Sequence, residues 1–304
     1  MKYIVTGAAG FIGSHLAEAL LAAGHEVVGI DSFTDYYDLA VKERNARGID
    51  VRRLDLARDE LDFEGWDGVF HLAGQPGVRS FGDVFPLYLE RNVLASQRVF
   101  EAAAAARVRV VFASSSSIYG EAEQYPTPEE TPPLPQSPYG ITKLACEHLA
   151  RASGKSLGLD AVVLRYFNAY GPRQRPDMAF PRVVDALREG HLFTLFGDGE
   201  QSRSFTYVRD VVAASLLAME RARAGSVYNV GGGQETTMNE TIAILEGIAG
   251  RRLDVQRAEA VAGDQRRTKA DTTRIRDELG WQPSTSLEEG LRAQWEWASV
   301  ESPA

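Results

Sequence analysis

The stretch KYIVTGAAGFIGSHLAEALLAAGHEVVGID, residues 2–31, decides the fold. It opens on a short apolar strand, Tyr3 to Val5 within Lys2 to Thr6, and closes on a second, Glu26 to Ile30. Between them FIGSHLAEALLAAG, Phe11 to Gly24, carries apolar residues at helical spacing and ends on a glycine. Gly7, Gly10 and Gly13 stand where the strand turns into the helix. Their spacing departs from GxGxxG, so the context carries the reading. Glycine is needed where backbone approaches a pyrophosphate, and the helix N-terminus then presents N–H donors to the anion. Asp31 ends the second strand, placed to bind an adenosine ribose diol and to repel a 2′-phosphate. The pattern predicts a dinucleotide site that prefers NAD to NADP.

Working outward, Val51 to Asp55, Val69 to Gly74, Val108 to Ser115 and Asp160 to Phe167 read as further strands. A long helix is predicted over Pro86 to Ala106, and another from Ser137-Pro138, with serine as N-cap and proline in the first turn. The proline-rich Tyr125 to Pro138 reads as a loop over the carboxyl ends of the strands. Strands separated by such helices give a parallel, doubly wound sheet. Beyond Asn168 the rhythm breaks into a short helix, a strand at Phe193 to Phe196, a turn-rich Phe196 to Val208 and a helix from Asp210. Helices over Thr237 to Ala249, Asp271 to Leu279 and Leu287 to Ala298 complete a smaller cap. The expected division is residues 1–167 for the dinucleotide, with return segments at about 203–230, and 168–304 mainly for a discontinuous cap.

Composition bounds the function. In 304 residues, 44% hydrophobic and 25% charged, there is ample material for one packed core. A formal net charge of −9 argues against a nucleic-acid or anionic-membrane partner, while a few local arginines suffice for an anionic small molecule. Cys146 is the only cysteine, and His15, His25, His71, His148 and His191 are scattered, so no metal site is expected. The chain starts on a strand with no leader and has no apolar run near the ~20 residues of a membrane helix, which predicts a cytoplasmic protein.

The strongest chemical signal is Tyr139 and Lys143 in YGITK. Residues four apart share a helix face, and a neighbouring ammonium favours a phenolate, making a tyrosine a general base. Ser115, at a strand end, supplies a hydroxyl to orient a substrate alcohol, flanked by Ser114, Ser116 and Ser117. Asp55 could meet an adenine amino group. Asn92, in an otherwise apolar helix, either positions a cofactor or satisfies backbone.

GAAGFIG, Asp31, HLAG, ASSSSIYG, YGITK and RYFNAYGP together resemble the extended short-chain dehydrogenase/reductases, in particular the nucleotide-sugar 4-epimerases, over nearly the whole chain. The resemblance implies an α/β fold: a Rossmann-type doubly wound parallel sheet with a smaller α/β substrate-binding cap domain. It makes Ser115, Tyr139 and Lys143 the catalytic trio. It assigns NAD to Gly7, Gly10, Phe11, Ile12, Gly13, Asp31, Ser32, Asp55 and Leu56. Leu72, Ala73, Gly74, Asn92, Ser114, Tyr139, Lys143 and Tyr166 complete that set. The UDP-sugar falls to Gly77, Val78, Arg79, Ser115, Ser116, Ser117, Tyr139 and Asn168, and in the cap to Arg175, Ala179, Phe180, Arg182, Arg203 and Asp264. By the same resemblance Arg203 faces the diphosphate, Asp264 the uridine ribose and Arg175 the hexose end, and the enzyme is a homodimer through Pro86 to Ala106 and Pro138 to Ser156.

DSFTDYYD (Asp31 to Asp38), QPGVR (Gln75 to Arg79) and PRQRPDMAF (Pro172 to Phe180) are similar to the UDP-glucuronate 4-epimerase branch. Arginine's fork suits both a diphosphate and a carboxylate, which favours Arg173, Arg175, Arg182 and Arg203 as anion binders, although Arg173 and Arg182 could equally be surface arginines paired with acids. Two positions depart from pattern. Asn168 stands where that branch carries threonine, and Val261 where hexose epimerases carry arginine, with Arg266 or Arg267 as possible substitutes. The readings left open are a UDP-glucose or UDP-N-acetylglucosamine 4-epimerase, a UDP-glucuronate decarboxylase and a non-catalytic NAD-binding scaffold. A 4,6-dehydratase would need an acid and a base after Ser115, where Ser116 and Ser117 stand instead.

Overall fold

A computed structural model describes residues 1–77, 82–260 and 265–301. The first third alternates as expected: β1 (Lys2–Thr6), α1 (Phe11–Ala22), β2 (Glu26–Asp31), a short α2 (Leu39–Asn45), β3 (Asp50–Arg53) and β4 (Gly68–His71). Next come α3 (Phe85–Tyr88), a π-helical turn (Leu89–Leu94), α4 (Ala95–Ala106), β5 (Arg109–Ser115), α5 (Pro138–Leu157) and β6 (Ala161–Tyr166). The later chain contributes β7 (Ala169–Tyr170), α6 (Ala179–Glu189), β8 (Phe193–Phe196), β9 (Ser202–Ser204), β10 (Thr206–Tyr207), α7 (Val208–Arg221) and β11 (Val227–Val230). It ends with β12 (Glu235–Thr237), α8 (Met238–Ala249), β13 (Val255–Ala258), β14 (Arg267–Thr268), α9 (Thr273–Leu279) and α10 (Leu287–Glu301).

Seven parallel strands form the main sheet in the order β11-β6-β5-β4-β1-β2-β3. The order reverses between β1 and β4, and a crevice opens beyond the carboxyl ends of strands at such a point. Helices cover both faces. On one, Leu16 and Leu20 of α1 and Val211 and Ala214 of α7 pack on Val5, Val111 and Leu164; on the other, Val99 and Phe100 of α4 and Cys146 and Ala150 of α5 pack on Val69, Val110 and Phe112. A separate core under Val183, Leu187, Leu195, Leu245 and Leu291 holds the smaller α/β part over the strand ends. No helix among the described residues is long and apolar enough to cross a membrane.

Several boundaries moved for identifiable reasons. β4 stops at His71 and not Gly74 because Thr6 Oγ1 accepts the N–H groups of Leu72 (3.2 Å) and Ala73 (3.1 Å), drawing the chain out of the ladder. β3 stops at Arg53 because Asp55 begins a turn, its Oδ1 accepting from Ala57 N at 2.9 Å. The single helix expected over Pro86 to Ala106 is interrupted by the π-helical turn, which carries Asn92. α7 begins two residues before the expected Asp210. The seventh sheet strand, β11, is a four-residue segment that periodicity could not single out.

Candidate active site

The crevice is a cavity of about 770 Å³ running from the glycine turn, across the ends of β4 and β5, to the 168–182 segment and β8. At its closed end the turns after β1 and β4 touch. A Cβ on Gly7 would lie 2.9 Å from Ala73 N, and one on Gly13 would lie 2.1 Å from Gly7 O. Only glycine permits that approach, which leaves the amino end of α1 bare toward the cleft. Asp31 follows directly, its Oδ2 accepting from Ala9 N (3.1 Å) and its Oδ1 from Phe33 N (2.8 Å). Burial pushes the Asp31 carboxyl up, against the Phe33 and Ala9 N–H groups and the charge of Lys42. Two ribose hydroxyls would return donors that burial has removed. Glycine turn, exposed helix end and acid together fit a bound dinucleotide.

Every residue expected at the cofactor lines this cavity except Asn92. Asn92 is buried behind the wall. Its Oδ1 accepts from Gln75 N (2.6 Å), and its Nδ2 donates to Gln75 O (3.2 Å) and Thr142 Oγ1 (3.0 Å). It therefore shapes the Gly74–Gln75 turn and reaches the cleft only through it. His71 stands behind the same wall. Thr6 Oγ1 already accepts two N–H groups, so it donates to His71 Nδ1 (2.8 Å), and His71 Nε2 donates to Ser96 Oγ (2.9 Å). Burial, with the Lys143 charge, pushes His71 down to about 3, so the ring stays neutral as a structural prop.

α5 carries Tyr139 and Lys143. Ser137 caps it by accepting from Gly140 N at 3.1 Å, and Pro138 sits in its first turn. A Cβ on Gly140 would lie 2.5 Å from Ser117 O, so glycine lets this helix end press against the serine loop. Ser115 is extended, accepts from Ser117 N (3.1 Å) and donates to Ser117 Oγ (3.1 Å). Lys143, 4% exposed, donates Nζ to Ala113 O at 2.8 Å and lies 5.8 Å from the Tyr139 ring centroid. Ser115, Tyr139 and Lys143 thus share one wall, with Ser116 and Ser117 beside them.

Gly77, Asn168, Arg175, Ala179, Phe180, Arg182 and Arg203 line the opposite half. Val78, Arg79, Val261 and Asp264 lie outside the described residues. Asn168 holds a left-handed φ of 42°, and its Nδ2 donates to Thr268 Oγ1 (2.7 Å) and Ser204 O (3.3 Å), tying the β6–β7 connection to β9 and β14. Threonine would be strained in that conformation. Arg173 turns away to pair with Glu18 of α1 at 2.7 Å, so it is not a cleft cation. Arg266 and Arg267 do not line the cleft: Arg266 is 3.5 Å from Asp198, and Arg267 binds both oxygens of Glu235.

Arg175 does face the cleft, with its Nε and Nη2 each 2.9 Å from the Asp177 oxygens. Burial opposes its charge, yet Asp177 and the phenols of Tyr36 and Tyr139 hold its pKa above the ordinary arginine value. Tyr36, Lys42, Gln75 and Asp177 are cleft residues that sequence reasoning missed. Tyr36 and Asp177 lay inside quoted motifs, but their meeting across the cleft (3.5 Å) is not local in sequence. Lys42, bound to Thr34 O at 2.6 Å, belongs to the unread helix α2.

Residues 3–231 match the family described as the NAD dependent epimerase/dehydratase family. The chain is 40% identical over 303 residues to an uncharacterized UDP-glucose epimerase, YtcB, of Bacillus subtilis (strain 168), covering 96% of each protein. It is 33% identical to the UDP-glucuronate 4-epimerase of Thermodesulfobacterium geofontis (strain OPF15), covering 97% of this chain and 95% of that one. Its fold superposes on the UDP-glucuronic acid 4-epimerase of Bacillus cereus, solved with UDP-glucuronic acid and NAD, with a TM-score of 0.95, 38% identity and 99% of each chain covered. With a family model matching residues 3–231 and relatives aligned along nearly its whole length, the chain belongs to the NAD dependent epimerase/dehydratase family.

Proposed function

We propose that this chain inverts carbon 4 of UDP-glucuronate, giving UDP-galacturonate, with NAD retained in the cleft. The observation that carries the reading is the convergence of Ser115, Tyr139 and Lys143 with Arg175 in a single cavity. The likeness to UDP-glucuronate 4-epimerases in sequence and fold supports it. Gly7, Gly10, Gly13 and Asp31 would hold the dinucleotide, whose chemistry there would be to take hydride from carbon 4 and give it back to the other face. Ser115 orients the 4-hydroxyl, and Tyr139 takes its proton and gives it back once the 4-keto sugar has turned over. Lys143 keeps a positive charge beside that proton transfer, anchored by Ala113 O. Arg175 and Arg203 meet the anionic groups of the UDP-sugar, Arg175 toward its hexose end.

A neutral hexose substrate is the second reading. It is favoured by the name of the Bacillus subtilis relative and by Asp177, which already neutralises Arg175. Incubation with UDP-glucuronate, UDP-glucose and UDP-N-acetylglucosamine in parallel, with products resolved by NMR, separates the two. UDP-galacturonate as the main product is expected. Faster turnover of UDP-glucose would move the assignment, and loss of carbon dioxide would make the enzyme a decarboxylase. Arg175→Ala is expected to lower kcat/KM for UDP-glucuronate about 10- to 100-fold more than for UDP-glucose, since it removes one charge-assisted hydrogen-bonding group. Equal losses would remove its carboxylate role.

The division proposed gives the cofactor residues 1–167 with return segments at about 203–230, supported by β11 joining β6, and the UDP-sugar mainly the remainder. The assembly proposed is a homodimer, supported by Leu89, Leu94 and Ile141, exposed apolar side chains on the two expected helical segments. Sedimentation at a single-chain mass would exclude it. The compartment proposed is the cytoplasm, with which the unpaired, buried Cys146 accords.

A further inference from the structure

Tyr139 and Lys143 are followed at the same helical interval by Glu147, a carboxylate the reaction above does not use. Its side chain is 8% exposed and pairs with Arg165, 9% exposed, at 2.8 Å. Arg165 Nε donates to Glu147 Oε1 at 3.1 Å, and Ser114 Oγ donates to the same oxygen at 2.5 Å. Ser114 and Arg165 are cross-strand partners on β5 and β6, as are Ser115 and Tyr166. Arg165 Nη1 continues to Tyr119 Oη (2.7 Å) and Glu129 O (2.9 Å), and Tyr119 Oη donates to Asn229 Oδ1 (2.8 Å).

A buried ion pair gains little over apolar packing of the same volume, so stability alone gives weak reason for this one. Its geometry gives a better reason. A hydroxyl has one proton, and Ser114 commits it to Glu147, so toward the cleft that Ser114 lines it presents only lone pairs. The residue before Ser114 carries Lys143 on its carbonyl, and the residue after it is Ser115. We propose that Glu147, with Arg165, is a positioning residue: it makes Ser114 a fixed acceptor at the cleft wall and locks the end of β5 to the helix carrying Tyr139 and Lys143.

The inference rests on the roles given to Ser115, Tyr139 and Lys143, so Tyr139→Phe is run beside the tests. In the NAD-loaded enzyme, Glu147→Gln is expected to lower kcat about 10- to 100-fold, the scale of small misplacements of reacting groups. KM for the UDP-sugar should change by less than about threefold, and NAD released per chain on denaturation should be unchanged. Glu147→Gln leaves Arg165 unpaired and can fail to fold, so Glu147→Met with Arg165→Met is the second variant. It is expected to melt near the native temperature and keep its NAD while kcat stays low by the same factor. Native kcat in that stable pair variant would overturn the proposal. Ser114→Ala, which leaves the ion pair intact, should lose about tenfold in kcat at an unchanged melting temperature, and native kcat would again overturn it. An active Tyr139→Phe would instead indict the functional reading. An inactive Tyr139→Phe beside a fully active Met pair would indict this inference alone.

Discussion

Tyr139→Phe is expected to leave the fold and the bound NAD in place while UDP-sugar turnover drops about 10²- to 10⁴-fold, the range over which a positioned acid–base group contributes. The substitution removes one oxygen from a half-buried side chain in the first turn of α5. The backbone it would have to disturb is held by other residues: Ser137 caps the helix at Gly140 N, and Thr142 Oγ1 donates to Tyr139 O at 3.0 Å. Binding should therefore survive, and KM should move much less than kcat. Stopped-flow turnover, together with the NAD content of the purified variant, checks this. Near-native turnover would remove Tyr139 as the proton acceptor, and no placement of Ser115 or Lys143 would rescue the mechanism.

Gly13→Ala should remove NAD binding almost entirely. The added Cβ would lie 2.1 Å from Gly7 O and 2.7 Å from Gly7 C, both backbone atoms, so no rotamer relieves the contact. The turn cannot simply expand. Gly7 N donates to Ile30 O at 2.7 Å, Gly10 N donates to Gly7 O at 2.9 Å, and the far side of Gly7 rests against Ala73. Overpacking of this kind costs about 3 kcal/mol, and a shifted turn no longer presents its N–H groups to a pyrophosphate. A loss of NAD affinity of at least about 100-fold is expected, equivalent to roughly 2.8 kcal/mol. Gly24→Ala is the control. Gly24 has a φ of 80° with nothing within 4 Å of the new Cβ, so only its left-handed strain, about 1 kcal/mol, should appear, with NAD retained. Equal NAD losses in the two variants would mean that general destabilisation, and not the pyrophosphate turn, is being read.

The parts of this molecule legible in its sequence are those whose cause is local. The three glycines, the acid eighteen residues beyond them and the Tyr139–Lys143 pair each sit within one βαβ joint or two helical turns. The cap strand Phe193–Phe196 was readable for the same reason. Helix α8 was too, since its Thr237–Glu240 capping box is a four-residue event. Arg173 shows the limit. Its sequence neighbourhood resembled an anion-binding loop, but its partner, Glu18, comes from α1. Asn92 shows the same limit from inside a helix: its sequence context leaves cofactor positioning and backbone satisfaction both open, and the partners that decide, Gln75 and Thr142, come from other segments.

The sequence by itself determined a doubly wound parallel sheet, a glycine turn between its first strand and helix, and a tyrosine and a lysine on one helix face, because backbone sterics and helix and strand periods act over a few residues. Only the tertiary structure decided which charges meet. Asp177 finds Tyr36, Glu147 finds Arg165 and Ser114, and Gly7 finds Ala73, each brought together by the folding of segments distant in sequence. Coulombic and steric contacts depend on distance through space, and a chain's sequence states that distance only after it has folded.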